Sequence, residues 1–195
     1  MTATDFLGGR FFFLRHGETA TNAAGIVAGW TNVPLSDIGE AQARRAAETL
    51  KGIGFAAIWT SRLERALRTA DIVAERCGRP IRVVDDLAER NWGAWEGTPS
   101  VTLDRAAPPP GGESRDEFER RVWRGLSSIE PPHPVLVVAH SGTARTLCAR
   151  LMPGSAYRRV ANASPIEWSC SQDGRWTMRD LMCPSVLHPT VAEPS

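Results

Sequence analysis

The sequence alternates short, continuously apolar runs with segments of helical period, and this alternation is what most constrains the fold. The strongest strand prediction covers 135–139, and 11–14 is a second apolar run of the same kind. Continuous apolar runs of this length are typical of strands that are buried on both faces, as in parallel sheets. The pattern therefore predicts an α/β fold, a three-layer sandwich whose mostly parallel sheet carries helices on both faces.

The remaining elements complete this pattern. Strands are predicted at 55–60 and 81–84, a hairpin at 166–170 and 176–181, and helices at 37–51, from the cap Ser61 to about 77, at 114–129 and at 142–151. The Pro- and Gly-rich segment 98–113 is predicted to be a short cap loop, and the tail after 182 is expected to be irregular. At this length we expect a single domain, 1–195.

The charge composition argues against nucleic acid and membranes as binding partners. The formal net charge is +1, whereas surfaces that bind nucleic acid or membranes carry a strong basic excess. All but one of the 23 basic residues are arginine, Lys51 being the exception, and a GC-rich genome produces such a bias. Only the placement of an arginine can therefore indicate a phosphate site. The sequence predicts a small-molecule partner, no nucleic acid and no membrane, and leaves a homodimer open.

The cysteines indicate the compartment. Cys77, Cys148, Cys170 and Cys183 form no C-x-x-C pair and no metal-ligand spacing with histidine. Free thiols are typical of a reducing cytoplasm, and no apolar run has the length of a signal-peptide core or a membrane span. We expect a cytoplasmic protein without a metal or other cofactor.

Two histidines follow the two best strand predictions directly. His16 comes after 11–14 and His140 after 135–139, and each precedes a turn with a glycine, Gly17 or Gly142. Ligands of open α/β sheets bind at the carboxyl ends of the strands. A single histidine there would be explained by packing, but two in the same setting favour a site.

Arginines stand where they would complete a phosphate site. Arg15 precedes His16, Asn22 follows shortly after, and both Arg62 and Arg65 begin the helix after the second strand. Guanidinium groups bind phosphate oxygens in bidentate fashion. Arg65 is the better candidate, because apolar inward positions follow it, whereas Arg62 falls in the preceding exposed turn.

The segment 87–97 supplies carboxylates and indoles. Glu89 or Glu96 could protonate a leaving alcohol, although a capping or surface role is equally compatible with the sequence. Trp92 and Trp95 could stack on a sugar or a base, and packing in the core explains them at least as well.

These motifs together resemble the histidine phosphatase superfamily, whose fold is shared with cofactor-dependent phosphoglycerate mutase. The similarity covers roughly 11–170, in the blocks 15–19 with Asn22, 29–36 with 39–41, 60–66 with 69–70, 87–89, 93–97, 110–114, 139–142 with Arg145, and 162–164. The resemblance implies that His16 is a nucleophile that becomes phosphorylated and that Glu89 is the general acid. It implies a phosphate cage formed by Arg15, Arg65 and a protonated His140, with Asn22 as a further phosphate contact, and it favours Arg65 over Arg62.

A comparison with the mutase branch of this family favours hydrolysis of the phosphoryl group over its transfer to a second substrate. The mutase branch carries a long basic insertion between its acid and its second histidine and places His-Tyr after the acid, where this chain has Asn91 and Trp92. The short segment 98–113 predicts a site open to water, and therefore a phosphatase of small phosphate monoesters. The resemblance implies no metal, because the phosphate cage itself supplies the positive charge. The segments 87–97 and 110–114 resemble the α-ribazole-phosphatase-like and broad-specificity branches. Mutase-type transfer and a non-catalytic binding relative remain the alternatives.

Overall fold

The strands form one mixed sheet in the part of the chain that the computed structural model describes, residues 6–104, 107–157, 159–182 and 186–187. The strands are β1 (Arg10–Arg15), β2 (Ile58–Thr60), β3 (Ile81–Val83), β4 (Leu136–Ala139), β5 (Pro165–Cys170), β6 (Trp176–Asp180) and β7 (Val186–Leu187). Their order is β3-β2-β4-β1-β5-β6-β7, with β3 to β1 parallel and β5 to β7 antiparallel. The predicted hairpin, β5 and β6, thus extends the parallel part of the sheet with antiparallel strands.

Helices cover both faces of this sheet, which confirms the predicted three-layer fold. They are α1 (Ala20–Ala23), α2 (Asp37–Leu50), α3 (Glu64–Cys77), α4 (Arg115–Ser127) and α5 (Ser141–Leu151). Ser36 caps α2, and Ser114 begins α4 with a capping box that includes Glu117. The left-handed Gly78 ends α3.

Successive residues of β1 explain why the run 11–14 is apolar throughout. Phe11 and Phe13 pack with α4 and α5, whereas Phe12 and Leu14 pack with α2 and α3 on the other face. Each of these side chains is buried, and burying one of this size contributes about 1.5–3 kcal/mol. Between its end residues Arg10 and Arg15, a strand with both faces covered has no position for a polar side chain.

Some predicted boundaries were wrong. The ladder of the second strand begins at Ile58 rather than at 55, and α3 begins at Glu64 with Leu63 as its cap instead of Ser61. The hydroxyl of Ser61 is engaged by the N–H of Leu63 and by His140. The tail was expected to be irregular, but Val186–Leu187 pairs with β6.

The segment 98–113 contains little regular structure. Its described residues include the short 3-10 helix Ser100–Thr102. At its start the N–H of Val27 donates to the carbonyl of Thr98, and the N–H of Gly97 donates to the carbonyl of Val27. The single domain with a reduced cap stays a prediction. In the described part of the chain no helix is long and apolar enough to cross a membrane.

The sheet brings the two predicted histidines together. β1 and β4 are neighbours, Arg15 pairs with Ala139 at their carboxyl ends, and the N–H of His16 donates to the carbonyl of Ala139 (3.0 Å). His16 and His140 therefore leave adjacent strands at one edge, where ligands bind in open α/β sheets.

Candidate active site

His16 is held in one tautomer by the backbone. Its Nδ1 lies 2.7 Å from the carbonyl oxygen of Gly17, and since a carbonyl only accepts, Nδ1 carries the proton and donates it. Burial, followed by the charge of Arg65, lowers the pKa of His16 well below its ordinary value. The ring is therefore neutral near pH 7, with the lone pair of Nε2 free.

His140 lies beside it, with 5.2 Å between the ring centroids. It is fully buried, and its Nε2 shares a hydrogen bond of 2.8 Å with the hydroxyl of Ser61. Its Nδ1 has no partner among the described residues. Burial, followed by the charge of Arg65, also lowers the pKa of His140 well below its ordinary value. The lowered pKa favours a neutral ring near pH 7, whereas the resemblance implies a protonated one.

Two buried arginines flank these rings. Arg15 is 4% and Arg65 2% exposed. Arg15 donates from Nη1 to the carbonyl of Val160 (3.0 Å), while Arg65 donates from Nη2 to Gly29 (2.7 Å) and from Nη1 to Thr31 (3.1 Å). Backbone carbonyls thus orient both guanidiniums without neutralising them.

Arg62, the alternative to Arg65, lies elsewhere. It is exposed, and its guanidinium stacks over the ring of Trp30 at 4.7 Å. Only Arg65 of the two reaches the cleft that contains His16.

The two candidate acids have different surroundings. Oε2 of Glu89 accepts hydrogen bonds from the N–H of Gly142 (3.1 Å) and the hydroxyl of Ser141 (3.3 Å) at the start of α5, and Glu89 lines the cleft. The carboxylate of Glu96 instead accepts hydrogen bonds from the backbone of Trp30, Thr31 and Trp92 and from the Thr31 hydroxyl. Glu89 can meet a substrate, whereas Glu96 fastens the segment 29–31.

A cleft of about 410 Å³ joins five of the six predicted site residues, and the fully buried His140 is not part of its lining. Asn22 lines it together with Arg15, His16, Arg65 and Glu89. The side-chain amide of Asn162 donates to the side-chain oxygen of Asn22 (3.1 Å) and to the carbonyl of His16 (2.9 Å). The sequence matched Asn162 to a motif without giving it a role, and this bridge provides one.

Two further side chains hold the backbone of Glu89. Nε1 of Trp30 and Nη2 of Arg121 donate to its carbonyl at 2.7 and 3.1 Å, and Arg121 forms a bidentate pair with Glu113. No sequence pattern indicated this support, because its members come from three distant segments.

Of the two tryptophans in the segment 87–97, one lines the cleft and the other does not. The rings of Trp92 and Trp95 stack at 6.3 Å. Trp92 is 8% exposed and lines the cleft, and Trp95 does not. Among the described residues no group of three or more His, Cys, Asp or Glu side chains could hold a metal ion.

Comparison with known proteins agrees with this geometry. The family model described as histidine phosphatase superfamily (branch 1) matches residues 11–182. The chain belongs to the histidine phosphatase superfamily. This confirms the family that the motifs resemble.

Several relatives within the superfamily carry phosphatase names, and others carry phosphoglycerate mutase names. The chain is 34% identical over 178 residues to the uncharacterized phosphatase PhoE of Bacillus subtilis, covering 86% of this chain and 91% of that protein. It is 32% identical over 166 residues to the adenosylcobalamin/alpha-ribazole phosphatase of Escherichia coli, covering 75% and 82%. The solved structure of mycobacterial glucosyl-3-phosphoglycerate phosphatase with VO3 aligns with a TM-score of 0.72 and 32% identity, covering 87% and 96%. These matches support small-molecule phosphate hydrolysis.

Proposed function

We propose that the chain hydrolyses small-molecule phosphate monoesters through a phosphohistidine formed on His16. The observation that carries this proposal is the locked tautomer of His16, whose Nδ1 donates to Gly17 and whose neutral Nε2 is left as a nucleophile between two buried arginines. An imidazole lone pair beside fixed positive charges is the arrangement that phosphoryl transfer to histidine requires.

In the first step Nε2 of His16 attacks phosphorus and the bond from phosphorus to the ester oxygen breaks. Arg15 and Arg65 stabilise the charge on the equatorial oxygens, with Asn22 as a further contact. Glu89, in its protonated form, transfers its proton to the leaving alkoxide. The products of this step are the free alcohol, phosphohistidine and the Glu89 carboxylate.

In the second step the Glu89 carboxylate removes a proton from water, whose oxygen attacks phosphorus as the bond to Nε2 breaks. Phosphate leaves, and both Glu89 and His16 return to their starting forms. Burial and the charge of Arg65 lower the pKa of His140, and a phosphoryl dianion beside the arginines raises it again because the new charge opposes theirs. His140 thus gains its proton when substrate binds.

Phosphoglycerate mutase-type transfer is the second candidate. The absence of a long basic insertion favours hydrolysis, since the segment 98–113 is short and the cleft opens to solvent. A non-catalytic binding role has no observation in its favour, because the side chains needed for catalysis are present.

The proposal includes a metal-independent reaction in the cytoplasm on a small phosphate ester. Guanidinium groups supply the positive charge that a metal ion would otherwise provide. The described cysteines Cys77, Cys148 and Cys170 are free thiols, as expected in a reducing compartment.

The test is hydrolysis of p-nitrophenyl phosphate by the wild type and by His16→Ala, in the presence of EDTA. We expect wild-type turnover, and a loss of at least about 10³-fold in the variant. Thermal unfolding of both proteins checks that the variant is folded. Turnover that survives in a folded His16→Ala protein contradicts the mechanism.

A further inference from the structure

The cleft contains arginines at two depths. Arg15 and Arg65 form a buried pair at its floor beside His16. Arg145, on the second turn of α5, and Arg159, in the segment before β5, also line the cleft but are exposed at its rim. The floor pair is committed to the phosphoryl group in the proposed function, and the rim pair has no part in that chemistry.

The rim arginines lack an acidic partner. Within the described part of the chain, neither Arg145 nor Arg159 forms a salt bridge, although many other arginines of this protein pair with a carboxylate. Arg145 packs its guanidinium over the ring of Tyr157 at 4.3 Å, which fixes its direction and leaves its charge uncompensated.

The charges that line the cleft are unbalanced. Four arginines and the single carboxylate of Glu89 contribute to its wall among the described residues. Burial and then the nearby charge of Arg159 lower the pKa of Arg15, so the floor and rim guanidiniums repel each other. A second anion between the rim arginines would remove this repulsion.

The size of the cleft also leaves room for more than a phosphoryl group. Its volume of about 410 Å³ is that of a site for a whole small molecule. Ile26, Val27 and Leu103 line it as well, so the leaving group meets an apolar wall as well as the arginine rim.

We propose that Arg145 and Arg159 bind a second anionic group of the substrate, so that the preferred substrates are phosphate monoesters that also carry a carboxylate or a second phosphate. This inference rests on the proposed function and names the substrate class of the same site. Both groups present planar or tetrahedral oxygen pairs that match the guanidinium fork. A carboxylate and a phosphate would bind the arginines through the same kind of oxygen atoms. Matched pairs of substrates distinguish which of the two groups is recognised.

The experiment compares kcat/KM for two matched pairs of substrates. In the first pair, 3-phosphoglycerate carries a carboxylate that glycerol 3-phosphate lacks. In the second, fructose 1,6-bisphosphate carries a phosphate that fructose 1-phosphate lacks. We expect the wild type to prefer the doubly anionic member of at least one pair by about tenfold or more, the contribution of one charge-assisted hydrogen bond.

The variants Arg145→Gln and Arg159→Gln test the residues. We expect each to reduce that preference towards equality, mainly through a higher KM for the doubly anionic member. Arg150→Gln removes an exposed arginine of the same helix, which stacks over Trp123 outside the cleft, and serves as the matched control, with the preference retained. Thermal unfolding shows whether each variant is folded.

The inference is overturned if the wild type hydrolyses both members of each pair equally well, or if its preference survives in both rim variants. A wild type that hydrolyses none of the esters, p-nitrophenyl phosphate included, contradicts the proposed function and the inference with it. If the wild type hydrolyses these esters without preferring the doubly anionic ones, the inference fails but the proposed function stands.

Discussion

At the scale of single residues, the environment of His16 and His140 links the chemistry to stability. Burial and neighbouring arginines lower the pKa of both rings well below their ordinary value. The folded chain therefore holds these rings neutral at a pH where the unfolded chain protonates them. The same feature that leaves Nε2 of His16 unprotonated makes the fold sensitive to acid.

We predict that the free energy of unfolding falls as the pH is lowered from 7.5 to 5.5. The pKa of each ring is depressed in the folded state, so the unfolded state binds more protons below about pH 6.5 and is favoured there. In His16→Asn, which keeps an N–H donor for the Gly17 carbonyl, the fall should be smaller than in the wild type. Urea unfolding at the two pH values measures this. An equal fall in both proteins contradicts the assignment.

Gly142 has a structural reason to lack a side chain. A Cβ at this position would overlap Oε1 of Glu89 and lie 2.7 Å from Cζ of Phe118. The Glu89 carboxylate, as the end of a flexible side chain, would yield first.

We predict that Gly142→Ala lowers kcat/KM for an alkyl phosphate ester by about 10²-fold, because the general acid is displaced. The free energy of unfolding should fall by about 1–3 kcal/mol, because the ring of the buried Phe118 must also shift. The matched control is Gly54→Ala, where a Cβ meets no atom within 4 Å. Steady-state kinetics and thermal unfolding are the measurements, and an unchanged kcat/KM in Gly142→Ala would argue against Glu89 as the acid.

At the scale of elements, the segment 29–31 connects the site residues to one another. It accepts both hydrogen bonds of Arg65 through Gly29 and Thr31, and it donates to the carbonyl of Glu89 through Trp30. Glu96 fastens this segment through three hydrogen bonds to Trp30 and Thr31. The carboxylate of Glu96, one of the two candidate acids in the sequence, thus holds the segment 29–31 in place.

We predict that Glu96→Gln lowers the free energy of unfolding by about 1–3 kcal/mol, the contribution of hydrogen bonds to a charged group. It should also lower kcat/KM for p-nitrophenyl phosphate by about tenfold, because Arg65 loses its fixed acceptors. Urea unfolding and steady-state kinetics are compared with Glu130→Gln, which changes an exposed glutamate. If Glu96→Gln behaved like Glu130→Gln in both measurements, the segment would not depend on this carboxylate.

The sequence predicts the elements that carry the site better than the contacts within it. Buried strands that end in His16 and His140 were evident, because apolar runs and strand ends are local features. Glu89 and Glu96 could not be separated, since their roles depend on Trp30 and Thr31, which lie about sixty residues earlier in the chain. Ser61 resembled a helix cap, and its pairing with His140 required the tertiary structure.

At the scale of the whole molecule, the proposed hydrolysis depends on the short segment 98–113, whose predicted role is to leave the cleft open to water. Phosphohistidine formed in an open site meets water more readily than a second substrate oxygen. This is the physical difference between a phosphatase and a mutase on the same fold.

We predict that 3-phosphoglycerate, supplied with 2,3-bisphosphoglycerate, yields free phosphate at least about tenfold faster than 2-phosphoglycerate, because water is the more accessible acceptor. A phosphate assay and an enolase-coupled assay follow the two products in parallel. Faster isomerisation than hydrolysis would assign the chain to transfer instead.

The central claim is the covalent intermediate on His16, and trapping it tests that claim most directly. In Glu89→Gln, p-nitrophenolate leaves without the help of an acid, while water lacks its base, so phosphohistidine should accumulate. Rapid mixing with p-nitrophenyl phosphate, an alkaline quench and mass spectrometry of the digested protein locate the phosphate. We predict a burst of about one p-nitrophenol per enzyme molecule, with phosphate on His16. Turnover without phosphoprotein, or phosphate on another residue, would contradict it.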